Sequence, residues 1–201
     1  MKNNLWGTES FSEKPVHVVL FCSRNKDNQS IEGFKERRES FITNKEIDSE
    51  YLQTRFREFA GRGLPLEQSR MYYSVNARDP KKIWTGLMHF MFDNPDFNLC
   101  SIQPKIAGIA AQKECALEKK WMFDFDINDK EKVNEFVEDI INLSNPIQER
   151  IITHKTPHGY AVIVDHGFDC RDLLEKWGED VTLKRDDLLC VKWLDKEDSY
   201  A

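Results

Sequence analysis

The feature that most constrains the fold is the order of hydrophobic patterns between Trp121 and Trp193. Short β-rich runs predict strands over 121–127, 150–153, 160–164 and 187–193. Two segments of helical character interrupt them, one after Asn128, with Glu131 as its capping-box partner, and one after Asp169. The predicted order is therefore β-α-β-β-α-β.

This order is that of the ferredoxin-like, split βαβ arrangement, which packs two helices on one face of a sheet. We therefore expect an α+β protein whose core spans 119–201. Residues 1–118 are expected to form an N-terminal α/β module that can cover the other sheet face. No linker rich in Pro, Gly or Ser separates the two parts, so one continuous structural unit is predicted.

The N-terminal module shows a looser alternation of strands and helices. Strands are predicted over 15–22 and 70–75, and helices over 48–61, after the Asp79-Pro80 start signal, and over 104–115. The stretch 23–46 is highly charged and its apolar residues show little periodicity, so it is predicted to be an exposed segment that includes one helix.

Composition excludes several classes of protein. The chain has 201 residues and a formal charge of -6, which argues against wrapping duplex DNA by charge alone. No apolar run approaches the roughly 20 residues of a membrane span. The 5 cysteines are dispersed without a CxxC pair, which favours a reducing cytoplasm over a disulfide framework or a zinc site. We expect a cytoplasmic protein, located in the host cytoplasm if it is viral.

Two acidic residues alternate on the first strand of the predicted core. Asp124 and Asp126 are two positions apart, so both side chains are expected on the face opposite Phe123 and Phe125. Adjacent carboxylates repel each other, and a divalent cation removes that repulsion. Mg²⁺ often binds one or two carboxylates together with substrate phosphates. The pair predicts a metal and phosphate site, and the alternative is a solvated strand face.

A turn between two predicted strands carries a second group of polar side chains. Lys155, Thr156 and His158 lie there, with Pro157 fixing the turn and Gly159 available for positive φ. A histidine in this place can donate to a phosphate or transfer a proton near neutral pH. The split βαβ arrangement would bring this hairpin beside the acidic strand. The alternative is an ordinary hairpin with an exposed histidine.

Two further groups are weaker candidates. Asp186 and Asp187 precede the last predicted strand, and one of them, preferably Asp187, would complete a three-carboxylate site unless both are turn acids. Asn76 and Arg78, with Lys81 at a helix start, are candidates for phosphate binding. Capping and solvated charge would also explain those three. Arg70 and His154 are weaker still.

Together, these motifs resemble a known family. The segment Phe123-Asp-Phe-Asp126, followed by Lys155-Thr-Pro-His158 and a late aspartate, is similar to the archaeo-eukaryotic primase (primase-polymerase) superfamily, in particular to small phage-type members. Members carry a DxD motif, a histidine motif and a late acidic motif on an RRM-like βαββαβ sheet. The resemblance covers 121–193, and residues 70–90 look similar less specifically.

The resemblance implies a role for each motif. Asp124 and Asp126 would be ligands of Mg²⁺ or Mn²⁺, and Asp187 would be the third acid, with Asp186 as the fallback. His158 would contact the phosphates of an incoming nucleotide.

Two functions are therefore expected. The first is a divalent-metal-dependent nucleotidyl or phosphoryl transferase of primase-polymerase type, acting on nucleotides, DNA or RNA in replication. The alternative is a phage-type accessory or counter-defence protein that uses a primase-like fold to bind nucleic acid, a nucleotide or a host toxin without polymerising. The expected partners are a nucleotide, a nucleic acid, or a host or viral protein, and no membrane is expected. The sequence leaves the oligomeric state undefined.

Overall fold

In a computed structural model, which describes residues 14–194, the chain forms two four-stranded antiparallel sheets and five α-helices. The strands are β1 His17–Ser23, β2 Arg37–Thr43, β3 Ser69–Ser74, β4 Trp121–Phe125, β5 Ile151–Lys155, β6 Tyr160–Val164, β7 Val181–Lys184 and β8 Leu188–Leu194. The helices are α1 Glu50–Gly61, α2 Pro80–Asp93, α3 Ile102–Ala110, α4 Lys130–Leu143 and α5 Arg171–Trp177. The α+β class is therefore confirmed.

The first sheet has the strand order β2-β1-β3-β8 and is covered on both faces. Helix α1 buries Leu52 and Phe56 against Phe21 and Met71 on one face. Helices α2 and α3 pack on the other face around Val18. Alternate residues of β1 therefore enter different cores, as the period-two geometry of a strand requires.

The second sheet has the strand order β5-β6-β4-β7. Strands β4 and β5 are both antiparallel to β6, so they run parallel to each other and α4 is the crossover between them. In the same way, α5 connects β6 to β7 around β4. Two βαβ units are thus interleaved in one sheet.

One face of the second sheet carries an aromatic core. Phe123 and Phe125 on β4 pack against Phe136 of α4 and Trp177 of α5. Burying each of the phenylalanines contributes about 1.5–3 kcal/mol to folding. The alternation of β4 thereby fixes which residues remain on the opposite face, among them Met122 and Asp124.

The opposite face of the second sheet packs on the first sheet. Met122, Ala161 and Ile163 contact Leu189 of β8 in a small apolar cluster. The second sheet therefore packs against the edge strand β8 of the first sheet, and Asp124 projects on this same face of β4.

The pairing of the last strand was predicted wrongly. The segment 188–194 does form a strand, but it pairs with β3 of the first sheet and not with β4. The partner of β4 is the four-residue strand β7, which the sequence analysis missed. Because β8 returns to the first sheet, the strands do not divide between the sheets at residue 118.

Two local predictions were also wrong, whereas the predicted start of α2 is confirmed. The charged stretch 23–46 contains the strand β2, and its only helical turn is a 3-10 turn over Asn25–Asp27. Helix α4 is capped by Asp129, whose side chain accepts from the backbone N–H of Glu131 and Lys132, and not by Asn128. Asp79 caps α2, as predicted. Over residues 14–194, no helix has the length and apolar character needed to cross a bilayer.

Candidate functional site

A pocket of about 180 Å³ lies where the two sheets meet. Strand β3, the segment after β1 and strand β8 form one wall, and strands β4 and β7 with the β5–β6 hairpin form the other. Its acidic and basic lining residues are Arg24, Lys26, Arg70, Asp124, Asp126, His158 and Lys184. Acidic and basic groups from distant parts of the chain therefore share one cavity.

The two predicted acids both line this pocket, in different settings. Asp124 lies within β4, opposite Ala161 of β6 and Thr182 of β7, and its side chain is 27% exposed. Asp126 follows the end of β4, which stops at Phe125, and is exposed. The strand is shorter than predicted, so Asp124 is fixed by the sheet whereas Asp126 is held by the following loop.

Lys184, which the sequence analysis did not single out, connects Asp124 to Asp187. Its Nζ lies 3.0 Å from Asp124 Oδ2 and 3.5 Å from Asp187 Oδ2. Burial lowers the pKa of Lys184, but the hydrogen bond to Asp124 and the charges of both acids outweigh it, so the pKa is raised. Asp187 itself is not among the residues that line the pocket, and it is linked to the pocket through this lysine.

The β5–β6 turn brings Thr156 and His158 into the pocket, as predicted. The backbone N–H of Thr156 donates to the carbonyl of Gly159 at 2.9 Å, which closes the turn. A Cβ on Gly159 would lie 2.1 Å from the carbonyl oxygen of Phe125. Gly159 is therefore required by close approach to the end of β4, and not by positive φ as the sequence analysis expected. This contact places the turn beside Asp126.

Arg70 joins the two walls of the pocket. Its Nη2 donates to Asp27 Oδ1 at 2.7 Å and lies 3.0 Å from His158 Nε2. Because a guanidinium has only donors, His158 Nε2 is the acceptor in this contact. Burial would raise the pKa of Asp27, but the hydrogen bond from Arg24 and the charge of Arg70 outweigh it, so the pKa is lowered.

The basic segment after β1 is held in place by a buried asparagine. The Asn28 side chain donates to Ser23 Oγ, Arg24 O and Gln68 O, and its Oδ1 accepts from Gln68 N at 2.6 Å. Sequence reasoning missed Arg24 and Lys26 because it treated this segment as an exposed excursion. The signal was their position directly after a strongly buried strand.

Asn76, Arg78 and Asp186 form a separate, closed network. Arg78 is 1% exposed and donates from both Nη atoms to Asp186 at 2.8 Å. Asn76, also 1% exposed, donates to Lys120 O and to Asp186 Oδ1. None of the three lines the pocket. Their burial favours a structural role over the predicted phosphate binding, and it removes Asp186 as the fallback third acid.

Lys155 and His154 lie on β5 outside the pocket lining. Lys155 Nζ contacts Asn128 Oδ1 and lies 4.6 Å from the ring centroid of Tyr160. His154 is opposite Ala161, in the same row of the sheet as Asp124, and burial lowers its pKa. Of the predicted nucleotide-binding residues, only Thr156 and His158 reach the pocket.

A second hollow continues beyond His158. It measures about 180 Å³ and shares Arg70, Pro157 and His158 with the first. Its remaining lining residues are Gln68, Ser69, Trp193 and Leu194. The Arg70–His158 contact therefore separates two adjoining spaces, one rich in charge and one that includes an indole ring.

The acids of the first pocket fit an open metal site that water or a ligand would complete. Within residues 14–194, no group of three or more His, Cys, Asp or Glu side chains is arranged to hold a metal. Asp124 and Asp126 still offer carboxylate oxygens, and Mg²⁺ is commonly bound by one or two carboxylates plus substrate phosphates and water. The donor set fits such a shared site and does not fit a closed protein cage.

Comparisons of the chain with protein-family models, with curated proteins and with solved structures found no match. Its function must therefore be inferred from the pocket itself.

Proposed function

We propose that this protein is a divalent-metal-dependent nucleotidyl or phosphoryl transferase of primase-polymerase type. The observation that carries the proposal is the meeting of Asp124 and Asp126 with Arg24, Lys26 and Arg70 in one pocket. A phosphate chain with a bound cation has the complementary arrangement, because it presents negative oxygens to the basic wall and a positive ion to the acids.

The residues of the pocket would have two roles, which are to bind the cation and to orient the phosphates. Asp124 and Asp126 would hold Mg²⁺ or Mn²⁺, which when bound neutralises charge on phosphoryl oxygens and polarises them. Arg24 and Arg70 would orient the phosphates, because a guanidinium matches phosphate geometry with paired donors. The basic wall is local, so it is compatible with the formal charge of -6.

His158 is suited to change partner when a phosphate arrives. Its Nε2 accepts from Arg70 Nη2 at 3.0 Å. A phosphate bound by Arg70 would compete for that donor and leave His158 free to contact the ligand. The side chain would then be available for phosphate binding or proton transfer.

The topology supports the family assignment. Two interleaved βαβ units with both helices on one face are what a ferredoxin-like or RRM-like core requires. The acidic strand is central and the histidine turn contacts its end, which is the arrangement expected of a primase-polymerase. The second hollow supports a substrate longer than one nucleotide, since it extends the space past His158.

The test is the loss of metal-dependent turnover in Asp126→Asn. Purified protein would be incubated with labelled nucleoside triphosphates, Mg²⁺ or Mn²⁺, and single-stranded DNA or RNA. We expect product from the wild type and a drop of about 100-fold or more in Asp126→Asn, the order of effect typical of removing one electrostatic stabiliser. Glu135→Gln, an exposed acid on α4, is the matched control and should keep full activity.

Circular dichroism should show an unchanged fold in both variants. A wild type that binds neither Mn²⁺ nor any nucleotide would contradict the proposal.

The same pocket also gives support to a second candidate, a binding protein without catalysis. Asp124 is engaged by Lys184 and His158 by Arg70, so the reactive groups are occupied by protein partners. An accessory or counter-defence protein would bind a nucleotide, a nucleic acid or a host toxin in this way. It would show binding without product, and binding would survive in Asp126→Asn.

A further inference from the structure

We propose that Lys184 is a built-in cation that occupies the place of a divalent ion between Asp124 and Asp187. This inference rests on the proposed function, because it concerns how many metal ions the same pocket can hold. Metal sites that transfer phosphoryl groups often use two ions held by shared carboxylates. Here one of those positions would be filled permanently by an ammonium group.

The geometry places the ammonium between the two acids. Lys184 Nζ is 3.0 Å from Asp124 Oδ2 and 3.5 Å from Asp187 Oδ2. The side chains of Lys184, Asp124 and Asp187 are 34%, 27% and 45% exposed, so the three groups are partly shielded from water, and two of them, Lys184 and Asp124, line the pocket. Shielding of this kind strengthens the interaction relative to a surface ion pair.

The backbone holds both flanks of this arrangement. Lys184 is opposite Met122 in the β4–β7 pairing, two residues along from the Asp124–Thr182 pair, so its side chain projects on the same face as Asp124. Asp187 is fixed by its carbonyl, which accepts from Val75 N at 3.1 Å, and by its Oδ1, which accepts from Leu188 N at 2.7 Å. Its Oδ2 is left to face the ammonium group.

Two consequences follow for ligands. A divalent ion between Asp124 and Asp187 would meet a positive charge already in place, so metal binding is confined to the side of Asp126. An ammonium group has three donors, and two are directed at carboxylates. The third is available to a phosphate oxygen, so Lys184 would link the acidic strand to the ligand.

The test is the number of Mn²⁺ ions bound by the full chain, measured by electron paramagnetic resonance and calorimetry without nucleotide. The variants are Lys184→Met and, in case the apolar side chain unfolds the protein, Lys184→Gln. Lys132→Met is the matched control, because Lys132 forms a surface ion pair 3.6 Å from Asp180. We expect one ion in the wild type and in Lys132→Met, and either two ions or at least tenfold tighter binding in the Lys184 variants.

The added ion should disappear again when Asp124→Asn is combined with Lys184→Met. Two Mn²⁺ ions in the wild type, or no change in the Lys184 variants, would overturn the inference. If the wild type bound two ions and showed turnover that depends on Asp126, the inference would fail while the proposed function held. If the wild type bound no Mn²⁺ and Lys184→Met bound one, Lys184 would be confirmed as the built-in cation and the metal-dependent function would fail.

Discussion

Asp186 and Asp187 are adjacent in the chain but belong to networks of opposite kinds. Asp186 accepts from Arg78 and Asn76, which are both 1% exposed. Asp187 shares Lys184 with Asp124, and all three are partly open to solvent. A ligand at Asp186 would have to break the ion pair with the buried Arg78, whereas a ligand at Asp187 would meet an ion pair that is already partly open to solvent. Exposure, and not residue type, separates the acid of the buried network from the acid that remains open to a ligand.

The largest expected effect comes from a substitution that breaks the network of Asn76, Arg78 and Asp186. Asp186→Ala leaves the buried Arg78 guanidinium without its carboxylate, and removing one partner of a buried ion pair costs roughly 3–5 kcal/mol. We expect the free energy of unfolding to fall by that amount in urea titrations. Asp187→Ala, at an open position, should change it by about 1 kcal/mol or less. Equal losses in the two variants would contradict the distinction between the networks.

The next effect tests how the histidine turn is held against the acidic strand. In Gly159→Ala, the added methyl group would overlap the carbonyl oxygen of Phe125, and overpacking of this kind costs about 1–3 kcal/mol. We expect lower thermal stability together with weaker nucleotide binding, since the turn carries His158. In Gly108→Ala, within α3, a Cβ meets nothing within 4 Å, so this control should stabilise by about 0.5–1 kcal/mol.

A pH-dependent effect on stability is expected for the ion pairs of Asp27 on the basic wall of the pocket. In the folded protein the pKa of Asp27 is lowered from its ordinary value of 3.8. Its ion pairs therefore stabilise the fold at pH values above 3.8, and this stabilisation is lost as the pH falls through the lower pKa of the folded state. Asp27→Asn should therefore reduce the free energy of unfolding by roughly 2 kcal/mol at pH 7. The difference from the wild type should shrink below pH 3.8. Urea titrations at several pH values would measure it, and a constant difference would contradict the assignment.

The smallest effect concerns binding alone. Lys26 is exposed and lines the pocket, so Lys26→Ala should weaken phosphate binding by about 0.5–1 kcal/mol, with little change in stability. Fluorescence anisotropy with a labelled oligonucleotide at two salt concentrations would measure the loss, which should diminish at high salt. Lys35→Ala, an exposed lysine from the same charged stretch, should bind like the wild type. Comparable losses in both variants would indicate a diffuse charge effect.

The sequence predicted what local periodicity determines. The alternation of β4, the amphipathic spacing of α4 and the Asp79-Pro80 start of α2 were all readable, and each reports contacts within one element. Strand β7 was missed because four residues carry too little alternation to be recognised. The pairing of β8 was mistaken because a strand's pattern shows which of its faces are buried and not which strand lies beside it.

The residues of the candidate site also fall into those that the sequence could predict and those that it could not. Asp124, Asp126, Thr156 and His158 were predictable because they belong to elements adjacent in the split βαβ order. Arg24 and Arg70 come from the other sheet, and their approach depends on how the two sheets pack. Asn76 and Arg78 were misleading because polar residues at a strand end serve buried networks as readily as ligands.

The position of β8 bears on how the chain reaches its native state. Strand β3 meets its neighbour β8 only after more than one hundred intervening residues have been synthesised, because β3 ends at Ser74 and β8 begins at Leu188. Until then the first sheet has an unpaired edge at β3 and the second sheet lacks its apolar cover at Leu189. Such long-range pairing slows folding and leaves a strand edge open to other chains. The pocket, whose walls come from both sheets, would therefore be among the last parts of the molecule to form.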